Sequence, residues 1–289
     1  MTLHERVTQA THALVAAGYN DAEAAIDAEF LARHALGWTR EQMLVRWRDP
    51  LPNGFDPQYT PLIARRARHE PVAYIVGHRE FWNLEIAVTR DTLIPRPETE
   101  LIVEETLALA QHVPSRLGPA PVIVDVGTGS GCLAIAIAHE LRTAQLIAID
   151  VSTAALDVAK RNARTHGVAD RISWHAGSLL EPVAQPVDLI VSNPPYVPLR
   201  DATTLQPDVR DYEPAVALFS GDDGLATIRA LVNQARGHVR PEGWLIFEFG
   251  YGQADAVREL VDRSDAWYLV RLRHDLQDIP RTAVLQRKS

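Results

Sequence analysis

The chain has 289 residues, 46% hydrophobic and 23% charged, enough apolar material for one large or two modest globular domains. A net charge of −8 disfavours a long phosphate-gripping footprint, so no stable nucleic-acid partner is expected, and the single cysteine, Cys132, excludes internal disulfides and a cysteine-built metal cage. No run of about 18 apolar residues appears, so no helix crosses a membrane. The amino terminus lacks the basic-then-apolar pattern of an export signal, which predicts a cytoplasmic protein without membrane association.

In chain order, residues 1 to about 76 read as helix only. A first helix runs from Leu3 to Ala17 and stops at Gly18; Asp21 caps a second that stops at Gly37. Thr39 and Gln42 have capping-box spacing for a third helix, and Asp56-Pro57 has the cap-and-first-turn pattern of a fourth. Ala25, Ile26, Phe30, Leu31 and Leu36 suggest the buried face of the second helix. The arginines at 65, 66 and 68, with Arg46 and Arg48, read as a solvated face. This bundle, residues 1–77, carries no evident chemistry of its own.

From His78 the period changes. Trp82, Leu84, Ile86 and Val88 alternate as a strand would, Asn83 offers a turn, and Thr92-Leu-Ile-Pro-Arg-Pro97 is extended because residues before proline avoid the helical region. Residues 78–96 are therefore expected to form a β-hairpin linker, and residues 97–289 a second domain. That domain opens with a helix near Pro97 running through Leu101, Ile102, Leu107 and Leu109. Strands and helices then alternate: strands 122–126, 145–150, 171–175, 187–192 and 243–249, with helices 130–141, 152–166, 225–239 and 253–263. Two closing strands, 267–273 and 282–287, read as an antiparallel edge hairpin. The fold class is α/β: a doubly wound, mostly parallel seven-stranded sheet behind a small helical domain.

Two loops carry the chemistry. Asp125-Val-Gly127-Thr128-Gly129-Ser130-Gly131 turns the first of these strands into its helix with Gly-x-Gly-x-Gly spacing, where the dinucleotide fingerprint is Gly-x-Gly-x-x-Gly. Asp150 ends the next strand, placed to accept from ribose hydroxyls. A nicotinamide cofactor and S-adenosylmethionine both suit this pair; the lack of a following basic pocket for a pyrophosphate favours the sulfonium. The second loop, Asn193-Pro194-Pro195-Tyr196, ends a buried strand in rigid residues. Asn193 supplies a side-chain carbonyl, Pro194 a main-chain carbonyl of restricted direction, and Tyr196 a flat face, a set suited to a planar –NH2 group. If the first and fourth strands of the parallel series are neighbours at the switch point, both loops share one crevice, and a methyl donor lies beside an amino acceptor.

These residues resemble the glutamine N5-methyltransferases of peptide chain release factors, the HemK or PrmC family. The resemblance covers nearly the whole chain. It runs through Glu70-Pro-Val-Ala-Tyr-Ile-Val-Gly77, Leu93-Ile-Pro-Arg-Pro-Glu-Thr-Glu100, the glycine loop, Val191 to Val197, Tyr212-Glu-Pro214 and Gly221-Asp-Asp-Gly-Leu225. It implies a Rossmann-like S-adenosylmethionine-dependent methyltransferase domain. The methyl would go to the glutamine side-chain amide in the Gly-Gly-Gln loop of a class I release factor, leaving S-adenosylhomocysteine, and the N-terminal bundle would help hold that protein. By the same resemblance Gly127, Thr128, Gly129, Ser130 and Gly131 line the donor's methionine part and Asp150 its ribose. Asn193, Pro194, Pro195 and Tyr196 bind the glutamine and form the catalytic set, with Asn193 also against the donor. Gly177-Ser178 stands where members often carry an acidic then an aromatic or leucine residue, and Asp278 stands near where a glycine is common.

The alternatives are a DNA or RNA adenine-N6 methyltransferase, which shares the Asn-Pro-Pro-Tyr motif, and a non-catalytic module retaining the fold. The first normally needs a target-recognition region, for which the chain offers little. His139, His166 and His175 lack ligand spacing, so no metal is expected. Glu98, Glu100 and Glu248 read either as crevice residues or as cap and strand-end charges, and Tyr196 either as a stacking face or as a core aromatic under the loop. A monomer is expected.

Overall fold

The computed structural model of the protein describes residues 1–112 and 119–289. It divides into two compact units, Met1–Gly77 with Gln206–Tyr212, and His78–Leu205 with Glu213–Ser289.

The first unit packs α1 (Leu3–Ala16), α2 (Asp21–Leu36), α3 (Arg40–Arg46), α4 (Phe55–Arg66) and α5 (Val72–Val76) around Leu3, Leu14, Leu31, Met43, Phe55 and Tyr59. Thr2 and Thr39 both close capping boxes, so reciprocal side-chain bonds start α1 and α3. Three expectations change here. Asn20, not Asp21, caps α2 by accepting from Glu23 N. Ala25 and Ile26 are exposed, and α2 buries Leu31 together with Ala24, Ala28 and Ala32, small residues that let helices approach closely. Helix α4 starts at Phe55 after Gly54, because Asp56 is drawn to Arg6 at 2.6 Å rather than to its own backbone. Of the arginine cluster, Arg46, Arg48 and Arg68 are exposed as a solvated face requires, Arg65 is half-buried, and Arg66 departs from the expectation. Arg66 is buried, lies over the Tyr19 ring, and pairs with Asp27 at 2.6 Å, Glu23 at 3.0 Å and Asp208 at 3.6 Å. A buried guanidinium needs such partners, and they draw the short helix α9 (Pro207–Tyr212) into this unit, where the Tyr212 hydroxyl donates to Arg68 O at 2.7 Å.

The second unit begins with a hairpin, β1 (His78–Phe81) and β2 (Leu84–Ala87), joined through Trp82 and Asn83 at φ 53° and 56°. Two successive left-handed residues are the tight hairpin geometry that matches strand twist. A 3₁₀ turn at Pro97–Thr99 leads into α6 (Glu100–His112). The sheet follows: β3 (Val122–Val126), β4 (Gln145–Asp150), β5 (Ile172–Ala176), β6 (Val187–Ser192), β7 (Val239–Glu248), β8 (Trp267–His274) and β9 (Pro280–Arg287). Its order is β5-β4-β3-β6-β7-β9-β8, with β9 antiparallel to both neighbours. Helices α7 (Cys132–Glu140), α8 (Thr153–Thr165), α10 (Ala215–Leu218), α11 (Ala226–His238) and α12 (Ala254–Asp262) complete the unit.

Strand alternation sorts the core into two layers. Ile123, Leu189, Val191 and Ile246 face α6 and α7; Val124, Val126, Ile190 and Phe247 face α11 and α12. Strand β7 begins at Val239 rather than 243, and a register shift between Val187 and Leu189 absorbs the difference. At the edge, Asp278 takes φ 60°, the left-handed turn position where a short polar side chain substitutes for glycine. Among the described residues no helix is long and apolar enough to cross a membrane.

Candidate active site

Strands β3 and β6 are parallel neighbours, with Val126 opposite Ser192, so the two loops leave the sheet side by side. A Cβ built on Gly127 would stand 3.9 Å from Asn193 O. Between them lies a cavity of about 490 Å³, lined by Gly127, Thr128, Gly129, Ser130, Asp150, Asn193, Pro194 and Pro195. Gly131 lies behind this lining: at φ +83°, any Cβ there would meet Ala159 and Ile135 at 3.0 Å, so the residue lets α7 pack on α8. Helix α7 starts at Cys132, two residues after the expected Ser130, and Cys132 lines the cavity while packing against the core.

The polarity of the glycine loop decides what it can hold. Gly127 N and Thr128 N both donate to Ile149 O at 2.9 Å, Gly131 N donates to Thr128 O, and Gly129 N donates to the Asp150 carboxylate at 2.8 Å. A diphosphate site needs such N–H groups for the ligand; here internal acceptors take them. The N-terminus of α7 also carries its own acceptor, since Asp125 Oδ2 accepts from Ala134 N at 3.2 Å and from the Thr128 hydroxyl at 2.6 Å. Asp125 Oδ1 is buried without a hydrogen-bond partner among the described residues, and burial pushes this carboxyl up to about 7. Asp150 holds Gly129 N and Ser152 N, and burial raises its carboxyl above the usual range. A loop with its donors spent and the Asp150 carboxyl beside it fits a cationic nucleoside such as S-adenosylmethionine better than a dinucleotide.

The strand-end loop is tied down from three sides. Asn193 Nδ2 donates to Thr99 Oγ1 at 3.0 Å, Thr99 Oγ1 donates to Glu248 Oε2 at 2.6 Å, and the Tyr196 hydroxyl donates to Glu248 Oε1 at 2.9 Å. Burial raises the Glu248 carboxyl, and burial followed by the neighbouring carboxylate drives the Tyr196 phenol well above its ordinary value. Tyr196 does not line the cavity; its ring packs into the core beside α12. The Tyr196 carbonyl accepts from Gln253 Nε2 at 2.9 Å, and a Cβ on Gly224 would lie 2.2 Å from that carbonyl oxygen. Glu213 clips the Ile94–Arg96 stretch, accepting from Ile94 N at 3.3 Å and pairing with Arg96 at 2.5 Å.

Sequence reasoning missed Thr99, although it lies in the Leu93–Glu100 stretch; Glu248, read as a crevice or strand-end charge, is buried under the loop instead. Thr92, Leu93, Pro95, Leu179, Val216 and Thr227 also line the cavity. Glu100 accepts from Trp82 N at 2.8 Å, a hairpin contact. Among the described residues no group of three metal-binding side chains gathers, and His166 bonds Glu85 O at 2.8 Å.

Comparison with known proteins places the chain by family. Residues 5–77 match the PrmC N-terminal domain and residues 103–206 the methyltransferase small domain. A release factor glutamine methyltransferase of Geobacter sulfurreducens is 43% identical over 83% of this chain and 82% of its own. One of Burkholderia pseudomallei is 42% identical over 90% of each chain. Among solved structures, the ribosomal protein L11 methylase of Lactobacillus delbrueckii subsp. bulgaricus superposes with a TM-score of 0.50 at 21% identity, covering 71% of this chain and 86% of that one. The hMettl16 catalytic domain in complex with a MAT2A 3'UTR hairpin gives 0.57 at 17%, covering 78% and 81%. Identities that low speak for the sheet and its order alone, whereas relatives above 40% along most of their length settle kinship: the chain belongs to the release factor glutamine methyltransferase family.

Proposed function

We propose that the protein methylates the side-chain amide nitrogen (N5) of the glutamine in the Gly-Gly-Gln motif of class I peptide chain release factors, with S-adenosylmethionine as donor. The observation that carries this reading is the shared cavity: a glycine loop with its N–H groups internally satisfied faces Asn193 and Pro194, two oxygen acceptors suited to a carboxamide.

When bound, the donor supplies an electrophilic methyl group on a sulfonium. An amide nitrogen is a poor nucleophile because its lone pair is delocalised into the carbonyl. Asn193 Oδ1 and the Pro194 carbonyl accept its two hydrogens, turn the nitrogen toward the methyl, and favour the positive charge that grows as it pyramidalises. Positioning of this kind supplies about 7–11 kcal/mol of a barrier. The proton leaves afterward to water, so no general base is needed. Asp150 holds the ribose, and Thr128 to Ser130 line the methionine portion. Tyr196 serves as the anchor of the loop through Glu248.

The helical unit (1–77) acts as the surface for the release factor, 78–96 as a linker hairpin and 97–289 as the catalytic domain. The protein works as a cytoplasmic monomer, with neither nucleic acid nor membrane as a stable partner. Mass spectrometry of a release factor incubated with the protein and isotopically labelled donor tests this directly, with a duplex DNA arm beside it. A label on the glutamine amide is expected; incorporation into adenine, or none into the factor, refutes the proposal.

A further inference from the structure

We infer that Thr99 and Glu248 are positioning residues that lock the Asn193 amide with its oxygen toward the substrate, and that this lock makes the site prefer a carboxamide over an isosteric carboxylate. The inference rests on the proposed glutamine acceptor and deepens it.

A carboxamide is nearly symmetric in shape, so sterics alone do not choose which end of Asn193 faces the cavity. Its neighbour must choose. Thr99 has one hydroxyl proton, and that proton goes to Glu248 Oε2 at 2.6 Å, a short bond. The Thr99 oxygen is then left with lone pairs only, and it can receive a donor but not offer one. Asn193 therefore turns Nδ2 to Thr99, at 3.0 Å, and Oδ1 is the end left for the ligand. Glu248 sets the direction because both its oxygens accept, Oε2 from the Thr99 hydroxyl and Oε1 from the Tyr196 hydroxyl. Thr99 and Glu248 are both 1% exposed, so water does not compete to scramble the chain. An acceptor presented this way binds –NH2 and repels the oxygens of a glutamate in the same position.

Substituting Glu248→Gln keeps the shape and reverses the polarity. The Tyr196 phenol retains the amide oxygen, the new amide nitrogen faces Thr99, and the freed Thr99 proton points at Asn193, which then gains by turning its oxygen inward. Reversing one buried hydrogen-bond preference leaves about a tenth of the molecules with the productive orientation.

The test uses the full chain, S-adenosylmethionine, a release factor, and a copy of that factor with glutamate in place of the Gly-Gly-Gln glutamine as competitor. Absence of methylation by the wild-type protein would sink the proposed function itself. Given wild-type activity, Glu248→Gln is expected to lower turnover about tenfold, to leave the donor Kd within about twofold, and to narrow the preference for the glutamine factor. Adding Tyr196→Phe removes the phenol proton, lets the introduced amide turn its oxygen to Thr99, and restores part of the loss. Thr99→Val should lose turnover where Thr99→Ser keeps most of it; this pair decides the matter if Glu248→Gln fails to bind donor. Full activity with unchanged discrimination in Glu248→Gln, or losses in the double variant that simply multiply, would overturn the inference.

Discussion

Truncating Asp150 to alanine should damage two properties at once, by amounts the geometry sets. The carboxylate accepts from Gly129 N and from Ser152 N, both at 2.8 Å, so it holds the glycine loop to the start of α8. Two hydrogen bonds to a charged acceptor stabilise by about 3–6 kcal/mol together. The net loss is smaller. Burial raises the Asp150 carboxyl, so truncation returns part of a desolvation cost, and the cavity beside it admits water to the freed N–H groups. A loss of about 2–3 kcal/mol follows, which for a unit of this size lowers Tm by about 5–10 °C. The same change removes the acceptors for the donor's ribose. One charge-assisted bond contributes about 1.5–3 kcal/mol, so affinity should fall about 10- to 150-fold. Calorimetric titration with S-adenosylhomocysteine reads the second effect and thermal unfolding without ligand the first. Asp150→Asn keeps one acceptor and sets its amide against the other N–H, so it should fall between the two. A wild-type Kd in Asp150→Ala would refute the ribose assignment, and an unchanged Tm would refute the loop account.

Four further outcomes are expected. Asn193→Ala should keep donor affinity but lower turnover at least tenfold, about 1.4 kcal/mol in the barrier, measured as methyl transfer to a release factor; wild-type turnover would remove the amide cradle. Gly224→Ala forces a Cβ to within 2.2 Å of Tyr196 O at φ +79°, so it should lower both Tm and turnover. Gly167→Ala, at φ +67° with nothing within 4 Å, incurs only the backbone cost of about 1–2 kcal/mol and should keep its turnover. Asp125 gives a pH signature. Its folded carboxyl titrates near 7 against an unfolded value of 3.8, so the folded state holds the proton longer and stability falls as pH rises across that window. Asp125→Asn lacks this titration, and its Tm advantage over wild type should widen from pH 5 to 8; parallel curves would show that Asp125 ionises normally.

Much of the molecule is decided by residues close together in the chain. Short apolar runs between turn signals place β3, β4 and β6; capping boxes start α1 and α3; glycine and tandem proline mark the two loops. These are local signals, because a backbone period or a cap needs only its own neighbours. The parallel series then made β3 and β6 candidates for neighbours, and the sheet order carries that arrangement. Tertiary structure alone decided where side chains went once the elements met. Ile26 points outward although it is the bulkiest apolar side chain among Ala24, Ala25 and Ala28, and Arg66 turns inward because Asp27 and Asp208 arrive from distant segments. Thr99, Asn193 and Glu248 form one hydrogen-bonded chain across gaps of 94 and 149 residues. Neither charge nor periodicity records such a meeting, since each of the three would look ordinary on a surface. The direction of their protons exists only when burial excludes water and leaves each group a single partner to answer to.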